Sequence, residues 1–169
     1  MGIEAGSAEP TAAFVKCQGT CEIAKDKYTY FGLDDCTMAM QLAGAGAKSC
    51  TYGCLGLGSC KKVCAFGAIE IVDGIAVIDK DKCVSCGKCV STCPKHIIEL
   101  LPVKKKVKVQ CSSKDIGRNV NPVCSAGCIA CKICEKNCPF DAIHVVDNLA
   151  VIDYDKCKAC GICANKCPK

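Results

Sequence analysis

The apolar positions of this chain fall in short β-branched runs. Ile69–Val72 and Ile75–Ile78 flank Asp73-Gly74. Two such runs around an Asp-Gly pair predict a β-hairpin, because both central turn residues adopt positive φ. Ile143–Val146 and Leu149–Ile152 repeat the arrangement around Asp147-Asn148, and Asn also tolerates positive φ. The segments after Cys60, Cys89, Cys134 and Cys163 each have room for a helical turn or two. The prolines that follow Cys93, Cys138 and Cys167 end the turn there. No apolar run approaches the ~18 residues of a membrane-spanning helix, and no secretory leader precedes them.

The hairpins belong to a larger repeat. Cys50, Cys54, Cys60, Cys64, Cys83, Cys86, Cys89 and Cys93 recur without a gap, 74 residues later, as Cys124, Cys128, Cys134, Cys138, Cys157, Cys160, Cys163 and Cys167. The recurring spacing is the iron–sulfur run C-x2-C-x2-C-x3-C-P. It predicts single-electron chemistry on [4Fe-4S] clusters. Zinc ribbons do not use four closely spaced cysteines per run. The first copy departs twice: Leu57 stands opposite Cys131, and Ala65 opposite Pro139.

Composition agrees with a fold held by metal. Of 169 residues, 21 are Cys, against four Tyr, four Phe and no Trp, so a conventional apolar core is thin. With no export signal, such cysteine spacings mean metal rather than disulfides. Formal net charge is +5 with every Cys counted neutral. Cluster-bound thiolates are charged, and at roughly −2 per four-iron site, five sites bring the chain to about −5. The basicity is therefore no argument for nucleic-acid binding, and the aromatics that stack on single strands are missing.

The organisation read from this is a small, polar linker (1–12) and a cysteine-containing extension (13–49). A first repeat (50–101), a basic connector (102–123) and a second repeat (124–169) follow. Cys17, Cys21, Cys36, Cys50, Cys111 and Cys124 lie outside the core motifs. The first three predict a fifth cluster completed by Cys50 or Cys111; the bland alternative is small buried thiols. For Cys111 and Cys124 the bland reading is at least as good. Cys17 and Cys111 each end an apolar stretch upstream of the Cys50 or Cys124 position, as if both lobes shared a leader. Gly53, Gly56 and Gly58 resemble a phosphate loop only superficially, being interleaved with cysteines. His96 and His144 read as surface residues. Lys104, Lys105, Lys106 and Lys108 read as a solvated linker or strand face, or as a docking patch for an acidic redox partner.

The second lobe resembles a bacterial two-cluster ferredoxin along its length. In that family the fourth cysteine of each run ligates the other cluster. The resemblance implies one cluster on Cys128, Cys131, Cys134 and Cys167, and another on Cys157, Cys160, Cys163 and Cys138. In the first lobe it implies a cluster on Cys83, Cys86, Cys89 and Cys64, and a second on Cys54, Cys60, Cys93 and an unassigned fourth ligand. Cys50, a cysteine from elsewhere, or a three-iron cluster would each resolve that gap; the expectation is four irons. The fold implied is α+β: tandem two-[4Fe-4S] ferredoxin-like lobes with an N-terminal extension.

Lys48-Ser-Cys-Thr-Tyr-Gly-Cys-Leu-Gly-Leu-Gly-Ser-Cys60, Val15-Lys-Cys-Gln-Gly, Asp35-Cys36 and Cys124-Ser-Ala-Gly-Cys-Ile-Ala-Cys131 resemble the B subunit of the Rnf complex. That complex is an ion-pumping ferredoxin:NAD+ oxidoreductase. The resemblance covers roughly residues 10–169 and includes Leu57 and Cys50. The cysteine sets together predict four [4Fe-4S] clusters and a fifth. The resemblance implies reduced ferredoxin as donor, partner subunits in a membrane redox complex, and a place at the cytoplasmic face of the membrane. Anchoring would come through parts of a longer polypeptide. The alternative is a free-standing polyferredoxin. No flavin or NAD fingerprint occurs, so NAD+ reduction is not expected from this chain alone.

Overall fold

A computed structural model describes residues 9–42 and 44–169. The elements in chain order are β1 (Thr11–Val15), α1 (Cys36–Met40), α2 (Ser59–Lys62), β2 (Ile69–Val72), β3 (Ile75–Ile78) and α3 (Lys88–Thr92). They continue with β4 (Ile98–Pro102), α4 (Gly117–Val120), α5 (Ile133–Lys136), β5 (Ile143–Val146), β6 (Leu149–Ile152) and α6 (Ile162–Asn165). Each lobe is a hairpin between two short helices, the α+β ferredoxin-like arrangement.

The two hairpins share one register. Ile69 pairs with Ile78 and Val72 with Ile75; Ile143 pairs with Ile152 and Val146 with Leu149. Both turns take positive φ at their two central residues, 47° and 75° at Asp73 and Gly74, 49° and 61° at Asp147 and Asn148. That is the twist a two-residue hairpin needs.

A third antiparallel pair, β1 with β4, joins the extension to the first lobe, with Val15 opposite Ile98 and Thr11 opposite Pro102. This corrects the expected linker: Thr11 and Ala12 are strand, while residues 1–8 of that linker lie outside the described residues. The pairing was missed because its strands are some eighty residues apart and neither carries a turn signal.

The first lobe's core is small. Ile69, Ile97, Ile98 and Val15 are buried with Cys54, Cys60 and Cys89, so candidate ligands are part of the core.

Residues 23–27 fasten the lobes together. On one edge the Lys27 N–H donates to the Ala47 carbonyl and the Ser49 N–H to that of Lys25. On the other, the Lys25 N–H donates to the Val123 carbonyl and the Ser125 N–H to that of Ile23. Residues 23–27 thus lie between the segments that lead into the two repeats, tied to them by isolated bridges at Ala24–Cys124 and Asp26–Lys48. The basic connector runs alongside β1, where Lys108 sits over the Phe14 ring at 4.7 Å.

Candidate metal centres

The cysteine loops share one backbone device. Around the middle position of each C-x2-x-x2-C run, the residues before and after take positive φ. The pairs are Gly56 and Gly58, Ser85 and Gly87, Ala130 and Lys132, and Ala159 and Gly161. Such alternation curls the chain so that successive amides line a concavity, the arrangement that favours anionic groups. At Gly56 it also demands glycine, since a Cβ would stand 2.5 Å from the Gly74 carbonyl oxygen. Gly56 and Gly58 therefore have a structural reason to be glycine.

Three cysteine sets converge as the ferredoxin pattern implies. Cys64, Cys83, Cys86 and Cys89 surround one cavity. Cys138, Cys157, Cys160 and Cys163 surround another. Cys128, Cys131, Cys134 and Cys167 border a larger cavity of about 240 Å³, with Cys111 and Cys163 reaching its edge from neighbouring sets. Val107 and Val109 border the second lobe's cavities as Ala13 and Val15 border the first's, four and two residues before Cys111 and Cys17 respectively. The shared leader is thus visible in space.

In the fourth set a cysteine from elsewhere takes the open place: Cys36 lines one cavity with Cys54, Cys60 and Cys93, while Cys50 lines another. Asp35 caps α1, accepting from the Thr37 and Met38 N–H groups at 2.8 and 2.9 Å. The Cys36 N–H donates to the Ser59 hydroxyl at 2.8 Å, and Lys62 holds the Asp34 carbonyl. These contacts dock α1 on α2 beside Leu57, the position without a cysteine. Burial pushes the Cys60 thiol up to about 12, and Cys54, Cys36 and Cys93 add to the rise.

The fifth set expected on Cys17, Cys21 and Cys36 is not brought together. Cys36 belongs to the first lobe. Cys21 is exposed, held by its N–H to the Asp73 carbonyl, with its sulfur over Gly74. Cys17 and Cys50 instead face Cys111 and Cys124.

The donors fit iron–sulfur clusters. All 21 cysteines are free of disulfides. Backbone N–H groups reach the sulfurs of several: Ala13 to Cys83 and Ala76 to Cys54 at 3.4 Å, Ala142 to Cys138 at 3.3 Å. Such donors stabilise a thiolate. Among the described residues no three Cys, His, Asp or Glu side chains converge tightly enough for a single metal ion, whereas rings of four around a cavity suit a polynuclear core.

His144 lies on the surface beside Glu135 and Asp141. The lysines of the connector do not form one patch. Lys104 and Lys106 are exposed, whereas Lys105 donates to the Cys157 carbonyl at 3.2 Å and Lys108 covers Phe14. Lys48 was overlooked in the sequence. It is only 5% exposed, and its ammonium donates to the Gly19 and Gly74 carbonyls.

Comparison with known proteins agrees with this site. The 4Fe-4S binding domain family matches residues 76–99 and 150–169. The B subunit of the Na(+)-translocating ferredoxin:NAD(+) oxidoreductase complex of Acetobacterium woodii is 52% identical over 99% of the chain. The B subunit of the proton-translocating ferredoxin:NAD(+) oxidoreductase complex of Clostridium ljungdahlii is 47% identical over 99% of the chain. The chain is similar to these B subunits over nearly its whole length. The B subunit of the ion-translocating oxidoreductase complex of Methanosarcina acetivorans adds 44% identity over the full chain. The chain spans 50%, 60% and 64% of the length of these three relatives, in the order given. Its two 4Fe-4S binding domain matches and these relatives make it an iron–sulfur electron-transfer protein. No helix among the described residues is long and apolar enough to cross a membrane.

Proposed function

We propose that this B-subunit region is the electron relay of a membrane-bound, ion-translocating ferredoxin:NAD+ oxidoreductase. Reduced ferredoxin is its donor. Neighbouring subunits of the complex are its acceptors, with NAD+ beyond them. It works at the cytoplasmic face of the membrane. One observation carries the reading: 44–52% identity across essentially the whole chain to subunits of such complexes. The four cysteine-ringed cavities of the two lobes support it.

Bound four-iron clusters supply one-electron exchange. The chain's own residues do the rest. Cys36, Cys54, Cys60 and Cys93 hold one cluster, and Cys64, Cys83, Cys86 and Cys89 its neighbour. Cys128, Cys131, Cys134 and Cys167, with Cys138, Cys157, Cys160 and Cys163, repeat the pair in the second lobe. Buried Cys54, Cys60 and Cys89 keep water from the first pair. The N–H groups of Ala13, Ala76 and Ala142 stabilise negative charge on sulfur and so raise the reduction potential. No side chain need act as acid, base or nucleophile. Exposed Lys104 and Lys106 favour an acidic donor.

The test is anaerobic rapid mixing of the cluster-loaded chain with reduced ferredoxin. Ferredoxin should be oxidised as the chain's visible absorbance bleaches, and added NAD+ should yield no NADH without the other subunits. A loaded chain that leaves ferredoxin reduced would overturn the proposal.

A further inference from the structure

We infer that Cys17, Cys50, Cys111 and Cys124 form a fifth four-iron site, built across the seam between the two lobes. The inference rests on reading the other four sets as four-iron sites.

Five cysteines stand outside those sets, and four of them share one cavity. Its volume is about 20 Å³, equal to that at each of the first lobe's two sets. Each ligand comes from a different segment: just after β1, the start of each repeat, and the middle of the connector. The Cys17 and Cys124 sulfurs, 107 residues apart in sequence, lie 3.6 and 3.9 Å from where a Cβ on Gly19 would stand. Gly19 leaves that space open.

The site has its own approximate two-fold. Cys50 and Cys124 are counterparts in the repeat. Cys17 and Cys111 end the two equivalent leaders. Each of these last two sulfurs accepts a pair of backbone N–H groups: Gly19 and Cys54 donate to Cys17, Ser113 and Cys128 to Cys111, all at 3.4 Å. A neutral thiol is a weak acceptor, so two converging donors on each sulfur suit a thiolate. Packing alone accounts neither for four thiols turned to one cavity nor for the same donors on both halves.

The surroundings hold the site rigid. Ala24, in the segment between the lobes, forms an isolated bridge with Cys124, and Asp26 forms one with Lys48, two residues before Cys50. Cys54 and Cys128, whose N–H groups donate to Cys17 and Cys111, belong to one ferredoxin set in each lobe. The site therefore touches one set of each lobe through an N–H···S contact.

The test counts clusters on the 169-residue chain, loaded without oxygen. Native mass spectrometry of the unmodified chain should give five clusters, and chemical analysis about 20 iron and 20 sulfide. Cys17→Ser and Cys111→Ser, in different lobes, should each lose the same four irons and keep about 16. Cys21→Ser should lose none. In the loaded chain an alkylating reagent should mark Cys21 alone. Four clusters on the unmodified chain, or alkylation of Cys17, Cys50, Cys111 and Cys124, would overturn the inference while leaving the four-site relay standing. If a serine variant sheds all its iron, the cluster count of the unmodified chain decides. A chain that takes up no sulfide would instead bring down the relay reading itself.

Discussion

Cys36→Ser separates a ligand from a packing thiol. The main-chain hold on this residue does not depend on its side chain: the N–H still donates to Ser59, and Asp35 still caps α1. A half-buried thiol that only packed would cost about 1 kcal/mol or less on conversion to Ser, and the iron content would not move. As the fourth ligand beside Cys54, Cys60 and Cys93, its loss should remove about four irons, or about one if a three-iron core survives. Iron and sulfide analysis reads the first outcome, and an electron-spin signal from the oxidised sample reads the second. The double variant Cys36→Ser, Leu57→Cys is the control. Leu57 sits between two positive-φ residues, Gly56 at 72° and Gly58 at 77°, as Cys131 sits between Ala130 at 56° and Lys132 at 58°. A cysteine there should restore the full iron count. Unchanged iron in Cys36→Ser would refute the assignment.

Further predictions concern the scaffold. Lys132→Gly should stabilise the second lobe by about 1 kcal/mol, because it relieves a left-handed residue, read as slower iron release in denaturant. Gly56→Ala should destabilise the first lobe by about 2–3 kcal/mol, since its Cβ meets the Gly74 backbone; an unchanged unfolding midpoint would contradict the packing described. Lys48→Met should cost about 1–3 kcal/mol by leaving two inward carbonyls without their ammonium, measured by denaturant unfolding of the loaded chain. Chelation of iron should unfold both lobes, since cysteines are part of the first lobe's core and the second lobe buries few apolar side chains; far-UV dichroism that survives in metal-free, sulfide-free protein would contradict this.

Much of this architecture is legible in the residues alone. Asp73-Gly74 and Asp147-Asn148 mark their hairpins because a two-residue turn is a local event. The intact runs carry their ligand sets in their spacing, and the proline-terminated helical turns follow from them. Long-range events are hidden. Thr11–Val15 has no local feature that selects Ile98–Pro102 as its partner. Cys36 reads as part of an N-terminal group because it lies near Cys17 and Cys21 in sequence. Its true neighbours become visible only when the Asp35 cap and Ser59 dock α1 beside Leu57. The seam between lobes is likewise unreadable, because residues 23–27 pair with two segments that are distant from each other. Lys48 looks like one more surface charge until both of its carbonyl partners are in view.

The proposed relay depends on this chain holding several one-electron sites. Reductive titration of anaerobically purified chain, with iron and sulfide measured on the same sample, tests that dependence without intermediaries. The expected result is a coloured protein that takes up at least about four one-electron equivalents, one per four-iron site, and bleaches as it does so. A colourless chain that holds tightly bound zinc and no sulfide, or a coloured one that accepts no electrons, would contradict it.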